Sequence, residues 1–148
     1  MVLEPFIVSS AFHFYMLSLY RPKHPDTLFT VCREGNLARV TSLLTQKADP
    51  NNSGNLNPLH IACSQQHSKI VQLLLTHKAH VNQPDDLHMT PLHLACRTGN
   101  IGIIGMLLKA KADVTLKAGG QTALQMALAQ GSTFITCLLL YGTPALQK

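Results

Sequence analysis

Charge is scarce in this chain, and tryptophan is missing altogether. Asp, Glu, Lys and Arg together make up 13% of the 148 residues and aromatics 5%, against 46% apolar residues. That balance excludes a solvated, disordered chain and points to an ordered one with a substantial buried fraction. Twelve Lys and Arg stand against seven Asp and Glu, but the basic residues form no run and no stripe interleaved with stacking rings. A nucleic-acid footprint is therefore not expected. The scattered excess serves solubility and weak attraction to acidic partners. Cysteine is also sparse, and its placement argues against a disulfide frame. Cys32, Cys63 and Cys96 lie 31 and 33 residues apart inside apolar helical patterns, where a thiol behaves as a small buried hydrophobe. A reduced, cytoplasmic protein is expected, with a nuclear location as the alternative.

No apolar run reaches membrane-spanning length. The longest candidate, Phe6 to Tyr20 in "MVLEPFIVSSAFHFYMLSLY", is fifteen residues interrupted by Ser9, Ser10, His13 and Ser18. As a helix it would cover ~22 Å, short of the ~30 Å hydrocarbon core. It also lacks the early positive charge and small-residue cleavage site of a signal peptide, and carries Glu4 instead. Residues 1–25 read as an apolar N-terminal appendage or cap. Two alternatives are a signal or anchor, which makes the protein a membrane-tethered regulator held by residues 6–20, and a start site other than the natural one. Phosphate-binding chemistry is missing too: "AGGQTAL" at 118–124 has two glycines without the Lys-Ser/Thr end of a P-loop, and reads as a turn.

What is present is repetition. "DTLFTVCREGNLARVTSLLTQKADPN" from residue 26, "NPLHIACSQQHSKIVQLLLTHKAHVN" from 57, "TPLHLACRTGNIGIIGMLLKAKADVT" from 90 and "TALQMALAQGSTFITCLLLYG" from 122 begin 31, 33 and 32 residues apart. Leu28, Leu59, Leu92 and Leu124 coincide, as do Leu43, Leu74, Leu107 and Leu139. In their T-P-L-H-x-A motif and period the segments resemble the ankyrin repeat family over about residues 26–142. The resemblance implies an all-α solenoid of stacked helix-turn-helix units joined by hairpin-like loops. Residues 26–148 form this domain, with repeats at about 26–56, 57–89, 90–121 and 122–142.

Local chemistry supports the same layout. Asp26, Asn57, Thr90 and Thr122 precede the first helix of each unit and carry oxygens that can accept from its unpaired amides. Pro58 and Pro91 follow at the position where a missing N–H is harmless. "GN" at 35–36 and 99–100 and "GS" at 131–132 supply left-handed stops. Second helices place Ile70, Val71, Leu74 and Leu75, then Ile103, Ile104, Leu107 and Leu108, on an inward stripe.

His60 with Cys63 and His93 with Cys96 have the look of four metal ligands, so a His/Cys metal-binding protein is an alternative reading. Zinc ligands must converge to about 2.0–2.3 Å from one ion, whereas helices of neighbouring units stand about 8–10 Å apart. The first and last units moreover place Phe29 and Gln125 at the histidine position. These side chains are expected to be structural, and the resemblance to the ankyrin repeat family implies that the histidine is a hydrogen-bonding residue near the N-cap Thr. No nucleophile stands in a recognisable catalytic setting, so neither catalysis nor any cofactor is expected. Cys137 replaces Gln72 and Gly105 and is expected at the surface.

Three departures from the family pattern have physical consequences. Lys47, Lys78 and Lys111 stand where glycine usually ends the second helix. In left-handed backbone each costs on the order of 1 kcal/mol, partly offset by a cation near a helix C-terminus. Asn55, His88 and Gly120 occupy the usual loop glycine, so the tip around "QPDDLHM" is expected to take its own shape. The fourth unit ends "FITCLLLYGTPALQK", an apolar close for a stack that needs polar caps. It implies a longer array, a covering partner or second copy, or an imperfect natural cap.

The resemblance implies a non-catalytic scaffold that presents loop tips and a concave helix face to a partner protein. By position the tip candidates are Ser53, Leu56, Asp86, Leu87, Met89 and Gln121. On the first helices they are Arg33 and Glu34, Ser64 and Gln65, Arg97 and Thr98, and Gln130.

Overall fold

The computed structural model describes residues 27–51 and 57–146, with side chains as far as Tyr141. The N-terminal segment 1–25, Asp26, and the loop positions Ser53, Asn55 and Leu56 lie outside the described residues. Eight helices are present among those described: α1 Leu28–Glu34, α2 Leu37–Thr45, α3 Pro58–Ser64, α4 Ser68–Thr76, α5 Pro91–Thr98, α6 Ile101–Lys109, α7 Ala123–Ala129 and α8 Thr133–Leu146. Each helix pairs with the next as one unit, and units stack in two layers, α1, α3, α5 and α7 in one and α2, α4, α6 and α8 in the other. This is the all-α repeat solenoid that the periodicity implies.

The first helices are seven or eight residues long, too short to persist alone, and their ends are closed by side chains. Asn57, Thr90 and Thr122 cap α3, α5 and α7 as expected. In the first unit the cap is Thr27, one residue later than the register gives: its side chain accepts from the Thr30 amide. Gly35 ends α1 at φ 73°, and a Cβ there would lie 2.7 Å from the His67 ring, so both backbone and space require glycine. The second unit has Gln66 at the matching position, at φ 61°, a strained substitution that its neighbours' pattern does not announce.

Lys47, Lys78 and Lys111 do adopt left-handed backbone, at φ 64°, 63° and 65°. Each begins a tight helix ending in which its amide and that of the following alanine bond back to the last turn, for example Lys111 N to Leu108 O at 3.0 Å and Ala112 N to Leu107 O at 2.9 Å. The loops then differ. Lys117–Ala118 and Gln121–Thr122 form a two-residue antiparallel pair, turned by Gly119 and Gly120, both at positive φ, as a two-residue hairpin demands. The loop before α5 forms no strand pair. His88 takes φ 59°, and the Asp85 carboxylate accepts from the amides of Leu87 at 2.9 Å and Met89 at 2.8 Å. The tip thus has its own shape, built by an Asx-type turn.

One continuous core runs through the stack, from Leu28, Val31 and Val40 to Ile135 and Leu139. The second-helix stripe is inward as expected: Ile70, Val71, Leu74, Ile103, Ile104, Leu107 and Leu108 are buried and Leu75 half-buried. No described helix is long and apolar enough to cross a membrane. Leu107→Ala is predicted to destabilise the fold by about 2–5 kcal/mol by opening a cavity between the last two units, measured as a shift of the urea unfolding midpoint.

Candidate partner-binding surface

The buried histidines settle what the His-x-x-Cys pairs do. In α5 the Thr90 amide donates to His93 Nδ1 at 3.2 Å, and the Thr90 hydroxyl lies 2.8 Å from the same nitrogen. The His93 amide in turn points at Thr90 Oγ1, 3.4 Å away, closing a capping box. With Nδ1 accepting, Nε2 carries the proton and faces the loop of the next unit, where the backbone at Gln121 and Leu116 favours a cation. No acceptor completes an aligned hydrogen bond to it. In α3, His60 Nε2 donates to the Met89 carbonyl at 3.0 Å, a bond from one repeat into the next.

The second unit makes this motif less well. Asn57 spends its side-chain oxygen on the Leu59 amide at 3.0 Å, leaving its own Nδ2 and the Nδ1 of His60 both buried without partners. A donor and an acceptor three residues apart thus stand unpaired, each at a cost of about 1–3 kcal/mol. Asn57→Thr, which restores the hydroxyl found at Thr90, is predicted to stabilise the fold by about 1 kcal/mol, seen as a higher thermal midpoint; an unchanged or lower midpoint contradicts this reading of the cap.

Burial lowers the pKa of both imidazoles, only partly opposed by the nearby loop backbone and by Asp85. A depressed folded pKa means that the unfolded chain binds more protons as acid is added. Stability present above the unfolded value of about 6.5 is lost as pH falls through the folded values. The urea midpoint is therefore predicted to fall between about pH 7.5 and about pH 5, with a shallower fall in a His60→Gln, His93→Gln double variant.

Cys32, Cys63 and Cys96 are fully buried, and desolvation pushes Cys32 and Cys96 up to about 12 and Cys63 up as well. Protonated at neutral pH, they are poor ligands and nucleophiles. The described residues contain no group of three or more His, Cys, Asp or Glu that can hold a metal ion. Cys137 is exposed.

The surface candidates fall into two sets. At the ends of the first helices, Arg33, Glu34, Gln65, Arg97 and Gln130 are exposed and Ser64 and Thr98 half-buried. The repeat places them in register along one edge, and direct bonds tie neighbours: Gln130 Nε2 donates to the Arg97 carbonyl at 3.2 Å. Glu34 lies 3.9 Å from the Arg39 guanidinium. Thr98 turns its hydroxyl back to the Ala95 carbonyl at 3.1 Å. At the tips Asp86, Leu87 and Gln121 are exposed, Leu87 to 72%, an unusual degree for a leucine. Met89 is a correction. Its side chain is only 8% exposed and belongs to the core, while its backbone serves His60 and Asp85, so it presents nothing to a partner.

Sequence reasoning passed over Asn51 and Asn82. Asn51 accepts from the His80 amide at 2.7 Å and donates to the Lys78 carbonyl at 3.3 Å. Asn82 does the same one unit on, with Asp113 at 2.7 Å and Lys111 at 3.4 Å. Each stitches a loop to the left-handed lysine ending of the following unit. The signal was the asparagine recurring in "DPN" and "HVN", replaced in the third unit by Thr115.

Two-helix units, inter-repeat histidine and asparagine bonds and an exposed rim of tips define a stacked repeat protein. A family model described as ankyrin repeats (3 copies) matches residues 28–118 and also 87–147, and the chain belongs to the ankyrin repeat family. Scaffold protein ILK from Homo sapiens, Mus musculus and Cavia porcellus is 38% identical over 60 residues, covering 38% of this chain. The match spans 13% of the length of those relatives. Ankyrin repeats are generally protein-interaction modules.

Proposed function

We propose that this protein is a non-catalytic, cytoplasmic scaffold that holds a partner protein against its loop tips and the exposed ends of its first helices. The observation that carries this reading is the division of labour along each repeat. Histidine, asparagine and lysine positions that look chemical serve capping, helix endings and bonds between units, and three of the four cysteines are core, whereas the side chains of Asp86 and Leu87 at the tip and of Arg97 at a helix end are exposed. Leu87 with Asp86 at the tip offers an apolar anchor beside a polar group, and Arg97 and Gln130 at the helix ends add exposed polar side chains, the composition of a binding surface. A rigid stack supports it, so little ordering is required on association. The name of the similar proteins, scaffold protein ILK, agrees with this role.

A photo-crosslinking amino acid placed at Leu87 or at Arg97 in the cell is predicted to give a defined adduct with a second protein. The same group at Lys69 or Gln72, on the outer helix layer, is predicted to give none. Equal labelling from all four positions, or none from any, would overturn the assignment.

A further inference from the structure

The layer of second helices differs in charge from the rest of the molecule. Glu34 closes a first helix, Asp85 and Asp86 lie at a tip, and Asp49 and Asp113 lie in the loops after α2 and α6. No Asp or Glu occurs in α2, α4, α6 or α8, which carry Arg39, Lys69 and Lys109. Lys47, Lys78 and Lys111, all exposed, follow the C-terminal ends of three of these helices. Asp49 and Asp113, two residues beyond Lys47 and Lys111, turn their carboxylates into their own loops. Asp49 accepts from the Asn51 amide at 2.8 Å, and Asp113 from the Thr115 amide at 2.8 Å and hydroxyl at 2.6 Å. Arg39 lies beside Glu34, so the cationic character of the layer rests on its lysines.

Two aromatic rings stand out from the same layer. Phe134 is 61% exposed and Tyr141 74%, and seven residues apart they lie on one side of α8. Their exposure does not come from the place of α8 in the stack. Lys69 and Gly102 occupy the position of Phe134 in the second and third units, and Thr76 and Lys109 that of Tyr141. All four are exposed although a unit lies on either side of them. These are outer positions, which a neighbouring unit leaves open.

We infer that this outer layer is the face with which the protein settles on an anionic lipid surface, its lysines over the headgroups and Phe134 and Tyr141 at the boundary with the acyl chains. Lysine is a compact, hydrated charge on a flexible stem, which suits a field of headgroups without fixed geometry. Protein interfaces, by contrast, are poor in lysine and draw on arginine. The lysines come from three units whose helices stand about 8–10 Å apart, a spread that a sheet of headgroups meets all at once. Exposed rings in the interfacial zone supply the apolar half of such binding. The contact is peripheral, since no described helix is long and apolar enough to cross a membrane. Leu87 at the tip and Arg97 on a first helix lie outside this layer, so the inference goes beyond the scaffold role and does not depend on it.

Co-sedimentation of the full chain is predicted to show binding to phosphatidylcholine vesicles containing about 30% phosphatidylserine, none to phosphatidylcholine alone, and release between about 0.1 M and about 0.5 M salt. The chain has no tryptophan, so Phe134→Trp is a unique reporter, and its emission is predicted to shift to the blue when the anionic vesicles are added. Lys69→Glu, with unchanged far-ultraviolet circular dichroism, is predicted to lower the partition coefficient at least about tenfold. Lys117→Glu, the same change of charge in the hairpin loop, is predicted to move it less than about twofold. A wild-type chain that ignores the anionic vesicles, an unshifted emission from bound protein, or equal weakening by the two lysine variants each overturns the inference. A chain that leaves the vesicles unbound yet binds soluble poly-glutamate, and loses it with Lys69→Glu, assigns the face to an acidic protein instead.

Discussion

Every repeat in this protein has the same deficiency: a pair of helices of seven to nine residues exposes more apolar surface than it can shield by itself. Leu59, Leu92, Val71 and Ile104 are buried only because another unit lies beside them. Stacking is therefore the condition for each helix to exist, since isolated segments of this length are unstable in water. It also explains why the buried positions repeat with the period of the sequence.

Hydrogen bonds set the spacing that apolar contact alone leaves loose. His60 reaches from its own first helix to the carbonyl of Met89 in the next loop, and Asn51 and Asn82 clamp each loop to the lysine ending one unit further on. The His60 bond is buried and the asparagine bonds lie nearer the surface, and together they give a greasy stack its register. The lysine endings show the tension in such a design. Left-handed backbone at Lys47, Lys78 and Lys111 is unfavourable for a side-chain-bearing residue, yet the carbonyls at Lys78 and Lys111 are the acceptors that the asparagines use. At His88 the same kind of strain is held by the Asp85 carboxylate.

With structural work assigned to the interior and to the loop roots, the tips and helix ends are the surface on which the proposed recognition falls. The first and fourth units thus mirror each other only in sequence pattern. In the first unit Thr30 and Ser42 stand where later units have apolar residues, yet Leu43 is only half-buried, and in the fourth unit Leu128 and Leu140 are exposed.

Most of the architecture was legible in the residues. The period, the capping positions of three units, the glycine stops and the second-helix stripe follow from local rules: side-chain oxygens cap, glycine turns left, leucine recurs every three or four residues. The drift of the histidine and cysteine positions to Phe29, Gln125 and Leu128 already favoured a structural role for them over ligation. Only the tertiary structure decided which side of a residue meets its neighbour. Met89 reads as a tip residue by its position in the loop, but the turn made by Asp85 swings its side chain into the core. Thr27 displaces the expected cap by one residue, Gln66 accepts a left-handed backbone, and the unpaired Asn57 and His60 nitrogens emerge only when distances are known. The physical reason is that spacing along a chain fixes faces of a helix, whereas burial, strain and unmet hydrogen bonds depend on what the next unit places across from them.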